Sequence, residues 1–313
     1  MRHGASASTS EADRVHSTGA ILDDMSFADG RASLVARVRA RELTVVPGVF
    51  DLVSARIADQ AGFPALYMSG YGVSASRMGL PDAGLTSFAD MVDQARRLAS
   101  GTATPLIADA DTGFGGLLNV RHTVEGYEAV GVAAIQLEDQ EFPKKCGHAA
   151  GRRVIDAADM VKKIEVAVES RTSDHFLIIA RTDARSSLGL DEAIARGRAY
   201  AAAGADLVFV ESPETDDEFA RIAAAVDAPL VANMVEGGFS PVLPAHRLAE
   251  LGYTIALFPT MGLFAATAAM RSAYDTLRRD GVSPGAESLI PIGEMHTLMG
   301  FDDVWAFDER WSD

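Results

Sequence analysis

The sequence predicts a (β/α)8 barrel, on three observations. Eight apolar runs, continuous rather than alternating, read as strands buried on both faces. A helical stretch follows each run, so the strands are parallel and joined by crossover helices. The repeat extends from Thr44 to Gly281, close to the ~250 residues typical of such a barrel. A doubly wound open sheet is the alternative, but no Gly-x-Gly-x-x-Gly follows the first run.

Residues 1–28, rich in Ser, Ala, Asp, Gly and Thr, read as a mobile tail, and Ser33 to Arg41 as a short amphipathic helix. The barrel domain is expected over 29–281. Its first run, Thr44 to Asp51, ends in an acid, and Leu52 to Ala61 is helical in pattern. Ala65 to Gly70 is the second run, with a helix over Thr86 to Ser100 capped by Thr86 or Ser87. Pro105 to Asp111 precedes a helix over Asn119 to Val130, and Ala133 to Glu138 precedes one over Asp156 to Ser170. Phe176 to Asp183 leads into Leu190 to Ala203, and Asp206 to Glu211 into Thr215 to Val226. Pro229 to Met234 is followed by Leu243 to Leu251, and Thr254 to Phe258 by Phe264 to Arg279. Gly62, Gly131, Gly204, Gly252 and Gly281 close helices. Residues 282–313 carry Ile290, Met295, Leu298, Trp305, Phe307 and Trp311 beyond a finished barrel. They form a helical extension expected to pack on a partner subunit.

The chain has 313 residues, 48% hydrophobic and 23% charged, as in an ordinary globular protein. A net charge of -16 argues against nucleic acid and anionic membranes as partners. One cysteine rules out an intrachain disulfide, and a cytoplasmic location is expected. No basic flank precedes an apolar N-terminal core, and Ile255 to Met270 is too broken to span a bilayer.

Side chains at the C-terminal strand ends of a barrel share one mouth. Here they are Ser69, Asp109, Asp111, Glu138, Arg181, Glu211 and Asn233. Asp109 and Asp111, two apart on a strand, are expected to face the same way. With Glu138 they make an oxygen-donor set suited to Mg2+ or Mn2+. Helix capping would account for one such acid, but three at neighbouring strands leave costly like charges. Arg181 is a natural fork for a substrate carboxylate and could also neutralise the acids. Cys146 stands in Glu138-Asp139-Gln140-Glu141-Phe142-Pro143-Lys144-Lys145-Cys146-Gly147-His148. The two lysines are expected to lower its thiol pKa. His148 reads either as an acid/base or as a residue that orients the loop.

Several motifs resemble the isocitrate lyase / phosphoenolpyruvate mutase superfamily over about Val45 to Gly281. They are Tyr67-Met68-Ser69-Gly70, Gly79-Leu80-Pro81-Asp82, Asp109-Ala110-Asp111-Thr112-Gly113, Glu138-Asp139-Gln140, Lys144-Lys145-Cys146-Gly147-His148, Ala180-Arg181-Thr182-Asp183 and Asn233-Met234-Val235-Glu236-Gly237-Gly238. The resemblance implies a helix exchanged between paired subunits, a homotetramer, a Mg2+ site (Mn2+ as substitute) and a small di- or tricarboxylate substrate. The cysteine loop is similar to the gating loop of the lyase branch, in which Cys146 would protonate a carbanionic product. Ser69-Gly70-Tyr71 departs from the Ser-Gly-Gly of 2-methylisocitrate lyases. Tyr71, with Ser74-Ala75-Ser76 and Met234-Val235-Glu236-Gly237-Gly238, is closer to the 2,3-dimethylmalate lyase and petal death protein group. Carboxyphosphonoenolpyruvate mutase is similar in the same segments. Pro241 stands where oxaloacetate hydrolases of the family carry serine, which sets that activity lower.

The resemblance therefore implies a Mg2+-dependent carbon–carbon lyase acting on a 2-alkylmalate-like substrate of the 2,3-dimethylmalate or 2-methylisocitrate type. Asp109, Asp111 and Glu138 would hold the metal, largely through water. Ser69, Gly70, Tyr71, Asp82, Lys145, Gly147, Arg181 and Asn233 would bind substrate, with Tyr67 facing its C2 oxygen. Cys146, Tyr67, Arg181, His148 and Glu211 would carry the chemistry. A phosphonomutase, an oxaloacetate hydrolase and a non-catalytic metabolite-binding barrel are the alternatives.

Overall fold

A computed structural model describes residues 24–312, with side chains from residue 30 onward. Helix α1 (Asp24–Arg39) comes first, so helix stands where tail was expected as far as residue 28. The rest of that expected tail lies outside the described residues. Leu34, Val35 and Val38 of α1 join the cluster formed by inward-facing strand residues such as Val46, Ile107, Ile179 and Val231. That docking anchors the second half of the helix, and propagation from a formed turn extends it back to Asp24. Arg31 reaches the Gly131 carbonyl at 3.3 Å, which seats α1 against the N-terminal end of the barrel.

Eight strands close in sequence order, every pair parallel: β1 (Thr44–Val49), β2 (Leu66–Met68), β3 (Leu106–Asp109), β4 (Ala134–Glu138), β5 (Leu177–Thr182), β6 (Leu207–Val210), β7 (Leu230–Asn233) and β8 (Ile255–Phe258). Each lies inside an expected apolar run. The runs overshoot because a strand ends where its last residues turn into the mouth. The crossover helices α2 (Leu52–Gln60), α4 (Phe88–Gly101), α5 (Leu117–Ala129), α6 (Ala157–Ser170), α8 (Leu190–Ala202), α9 (Asp216–Ala225), α10 (Ala245–Leu251) and α11 (Met261–Asp280) fall within a few residues of expectation. Two short helices, α3 (Gly70–Val73) and α7 (Arg185–Leu188), lacked the length for a periodic signal.

Starts are fixed by polar caps. Asp51 accepts from Ser54 N at 2.8 Å, and Ser87, one of the two expected caps, forms a capping box with Asp90. The five glycines expected to close helices all have positive φ. Two apolar clusters fill the space between strands and helices, one of them built around Met68, Leu98, Tyr127 and Ile164.

The chain ends in α12 (Ile292–Leu298) and α13 (Phe301–Trp311). Helix α11 has no buried residue along its length, and Met261, Phe264, Met270, Tyr274 and Leu277 stand out from it. Trp305, Phe307 and Trp311 of α13 are equally open. Among the described residues no helix is long and apolar enough to cross a membrane.

Candidate active site

The mouth is assembled from strand ends. Asp109 closes β3, Glu138 closes β4, Arg181 is the next-to-last residue of β5, and Asn233 closes β7. Asp109, Arg181 and Asn233 reach a cavity of about 280 Å³, which Tyr67, Ser69, Tyr71, Asp82, Cys146 and His148 help to line; Glu138 does not line it. Val235, Phe209, Leu257, Pro259 and Phe264 make its apolar wall.

Asp109 Oδ2 accepts from Gly70 N at 3.3 Å and Oδ1 from Asp111 N at 3.0 Å. A Cβ on Gly70 would come within 2.5 Å of Asp109 Oδ2, so only glycine lets the backbone reach that carboxylate. Asp111 is not on the strand as expected. Strand β3 stops at Asp109, and Asp111 turns back with φ of 48°. A left-handed turn, rather than strand alternation, brings the two carboxylates together.

Lys144 lies almost wholly buried between acids, its Nζ 2.5 Å from Asp82 Oδ1 and 2.6 Å from Asp111 Oδ1. Asp111 Oδ1 is thus ion-paired with the buried ammonium. Glu138 Oε1 is buried without a partner, while its Oε2 lies 3.5 Å from Arg181 Nη1. Burial pushes the Asp111 carboxyl up to about 7 and raises Glu138 well above the usual carboxylate range. The buried Glu138 Oε1, without a donor, fits a hard divalent cation, which would replace the lost hydration. Among the described residues no three His, Cys, Asp or Glu side chains are grouped closely enough to ligate one ion directly. An ion held there would need water ligands to complete its shell.

Arg181 uses its fork internally. Nε donates to Asp183 Oδ2 at 2.9 Å and Nη2 to Asp183 Oδ1 at 2.8 Å, with Glu211 Oε2 at 3.4 Å. It neutralises the acids and still lines the cavity, so both expected roles remain available. Tyr67 donates its hydroxyl to Gln136 Oε1 at 2.9 Å, and burial raises its pKa well above the usual phenol value. Asn233 Nδ2 donates to Glu211 Oε2 at 3.0 Å, and Asn233 Oδ1 is buried without a donor.

The loop after β4 folds over this mouth. Gly147 has no room for a Cβ, which would fall into the Arg181 guanidinium and the Glu211 carboxylate. Cys146 lines the cavity, and the structure reverses the expectation for its thiol. Burial, the largest influence, pushes the pKa up to about 11, because Lys144 spends its charge on Asp82 and Asp111. Lys145 points away, its Nζ on the Gly151 carbonyl at 3.3 Å, and does not line the cavity. His148 accepts from Phe239 N at its Nδ1 (3.1 Å), which leaves Nε2 facing Glu211 Oε1 at 3.6 Å. Burial lowers its pKa, so the neutral ring is favoured.

Sequence reasoning missed Gln136, Asp183, Arg152 and Ser212, which support the mouth from behind. Asp183 carried a signal, since it stands two residues beyond Arg181 at a strand end. Phe264, on the first turn of α11, gave none.

Fold and site together define a (β/α)8-barrel enzyme with its chemistry at the C-terminal strand ends. A family model described as phosphoenolpyruvate phosphomutase matches residues 35–278. The 2,3-dimethylmalate lyase of Eubacterium barkeri is 45% identical over 273 residues, covering 87% of this chain and 94% of its own. The solved structure of oxaloacetate acetylhydrolase with 3,3-difluorooxalacetate superposes with a TM-score of 0.85 at 38% identity, covering 90% of this chain and 96% of that one. Phosphonopyruvate hydrolase, solved with oxalate and Mg2+, superposes with a TM-score of 0.82 at 32% identity, covering 91% and 99%. The chain belongs to the phosphoenolpyruvate mutase / isocitrate lyase superfamily.

Proposed function

We propose that the protein is a Mg2+-dependent carbon–carbon lyase that splits a 2-alkylmalate-like dicarboxylate into a 2-oxo acid and a carboxylic acid. The observation that carries this reading is the position of Cys146 in the wall of the cavity that Tyr67, Asp109 and Arg181 also line, where burial pushes its thiol pKa up and favours the protonated form. A lyase of this kind needs a proton donor beside the carbon left electron-rich by cleavage. A second observation narrows the substrate. Arg181 is the one Lys or Arg among the lining residues, and the wall beyond it is apolar. That arrangement suits two carboxylates and an alkyl group better than three carboxylates. The similarity to 2,3-dimethylmalate lyase supports the same class.

Asp109, Asp111 and Glu138 would hold Mg2+ through water; when bound, the ion polarises the C2 oxygen and the adjacent carboxylate. Gly70 N and the Ser69 and Tyr71 groups would orient the C1 carboxylate. The Tyr67 phenol keeps its proton and faces the C2 oxygen. The C2 hydroxyl gives its proton to a carboxylate in the cavity wall, for which Asp109 is placed; its O–H electrons form the ketone as the C2–C3 bond breaks, and the electrons of that bond pass to an enediolate on the departing acid. Arg181 stabilises that charge without reorganising, since Asp183 already holds it. Cys146 then protonates C3. The closed loop excludes water from the carbanion.

Paired helices exchanged between subunits would cover the open apolar side chains of α11 and α13, in a tetramer. A panel of substituted malates and citrates with Mg2+, followed by 2-oxo acid release, tests the reading. Release from none of them would overturn it. The mutase alternative has its own assay, 31P NMR on an incubated phosphonate.

A further inference from the structure

We infer that Arg152 is a positioning residue that holds Arg181 and Glu211 in place and ties the Cys146 loop to the ends of β5 and β6. The inference rests on the lyase reading above.

Arg152 lies downstream of Cys146 on the same loop, outside the Lys-Lys-Cys-Gly-His motif. Its side chain is only 2% exposed. Nη1 donates to Asp183 Oδ1 at 2.7 Å, the same oxygen that accepts from Arg181 Nη2. Nη2 donates to Ser212 Oγ at 3.3 Å. Ser212 in turn grips Glu211 Oε1 with its N–H at 2.8 Å and its hydroxyl at 3.1 Å. It does so from a φ of 61°, a conformation uncommon outside glycine. One planar fork thus reaches the carboxylate behind Arg181 and the hydroxyl behind Glu211. Phe239 lies over the guanidinium at 5.8 Å and against the His148 ring at 6.0 Å.

Charge explains why the fork is needed. Asp183, Glu138 and Glu211 all crowd Arg181, at 2.8, 3.5 and 3.4 Å. Arg152 offsets the nearest of these, so Arg181 retains positive field to offer the cavity. Burial works to raise Asp183, but Arg181 and Arg152 outweigh it and hold the carboxylate ionised. Because Arg152 and Cys146 share a loop, seating the guanidinium on Asp183 also seats the thiol over the cavity. A neutral side chain would leave Arg181 drawn toward three acids and the loop held by fewer bonds.

The test compares Arg152→Gln and Arg152→Lys with the full wild-type chain in Mg2+. Three quantities are read: kcat and KM on the cleaved alkylmalate, affinity for oxalate, and the rate of Cys146 alkylation by iodoacetamide with and without oxalate. Arg152→Gln is expected to lower kcat about 10²-fold, as a misaligned catalytic geometry does, with KM changed only a few-fold. Oxalate should no longer protect its thiol. Arg152→Lys restores charge beside Asp183 without the fork, so its kcat should fall between the two. If Arg152→Gln does not fold, Ser212→Ala removes the partner of Arg152 Nη2 together with that hydroxyl's bonds to Glu211 Oε1 and the Gly147 carbonyl, keeps the backbone N–H on Glu211, and should show the same losses in smaller measure. A Gln variant with wild-type kcat and intact oxalate protection would overturn the inference. So would one that loses thermal stability while the folded enzyme keeps its kcat. If the wild type cleaves no alkylmalate, the lyase reading fails, and the alkylation rates still decide whether Arg152 holds the loop.

Discussion

Replacing Cys146 with serine keeps the shape of the side chain and removes the thiol proton from the cavity. Burial sets the starting point, with a thiol pKa pushed from 9.0 to about 11. At pH 8 a group of that pKa is ionised in only about 0.1% of molecules. The donor is therefore loaded across the neutral range, and the sign of the shift predicts a kcat plateau that persists until the pH approaches 11. A serine hydroxyl holds its proton far more tightly. Losing a positioned general acid costs ~10²–10⁴-fold in rate. At 1.36 kcal/mol per tenfold, that raises the barrier by about 3–5 kcal/mol. Substrate binding should survive, because Arg181 and the carboxylate set are untouched. The assay is steady-state release of 2-oxo acid from the best substituted malate, with oxalate affinity measured alongside. Expected is a collapse of kcat with an oxalate dissociation constant changed by no more than a few-fold. Turnover within a few-fold of wild type would remove Cys146 from the acid role, and a kcat that falls near pH 8 would refute the raised thiol pKa.

The other predictions concern metal, substrate, assembly and stability. Chelation should abolish activity, with Mg2+ or Mn2+ restoring it and Zn2+ restoring little; full activity in EDTA would sink the carboxylate assignment. 2-Methylisocitrate should be cleaved far more slowly than the best alkylmalate, since Tyr71 and Phe264 narrow the cavity and one guanidinium faces it; equal rates would contradict this. The full chain should run as a tetramer in light scattering, and truncation after Gly281 should aggregate or lose assembly, whereas a monodisperse full-length monomer would refute the interface. Tyr200→Phe deletes a 2.7 Å hydrogen bond to the buried Asp139 carboxylate and should cost about 1–3 kcal/mol in denaturant unfolding; an unchanged midpoint would be inconsistent with that bond.

The barrel was legible because eight doubly buried strands must be continuously apolar, and no other common fold asks for eight of them in a row with helices between. Asp109, Glu138, Arg181 and Asn233 were legible as strand-end residues for the same reason. What sequence could not supply is the state of charges once buried. Lys144 and Lys145 stand two residues and one residue before Cys146, which suggested a thiol bathed in positive charge. Folding gives Lys144 to Asp82 and Asp111 and turns Lys145 outward, so desolvation decides the thiol instead. Asp111 shows the same limit in geometry, since a positive φ at a non-glycine residue leaves no mark in composition or periodicity. The supporting shell of Asp183, Arg152 and Ser212 spans three separate segments, a proximity that only the closed barrel creates.

The loop over the site has a pinned neck. Asp139 is held by Thr182, Asp183 N, Tyr200 and Arg196, and its carbonyl accepts from Ile155 N at 2.9 Å. Just beyond, Gln140 bridges Val154, and Glu141 N donates to the Arg153 carbonyl. Both ends of the excursion therefore leave and rejoin the barrel side by side, from anchors that do not depend on what lies between. For a protein engineer this makes the neck a fixed socket for a graft between residues 142 and 152, provided the graft keeps Lys144 on Asp82 and Asp111 and Arg152 on Asp183 and Ser212. The neck residues are the ones such a graft must also leave alone.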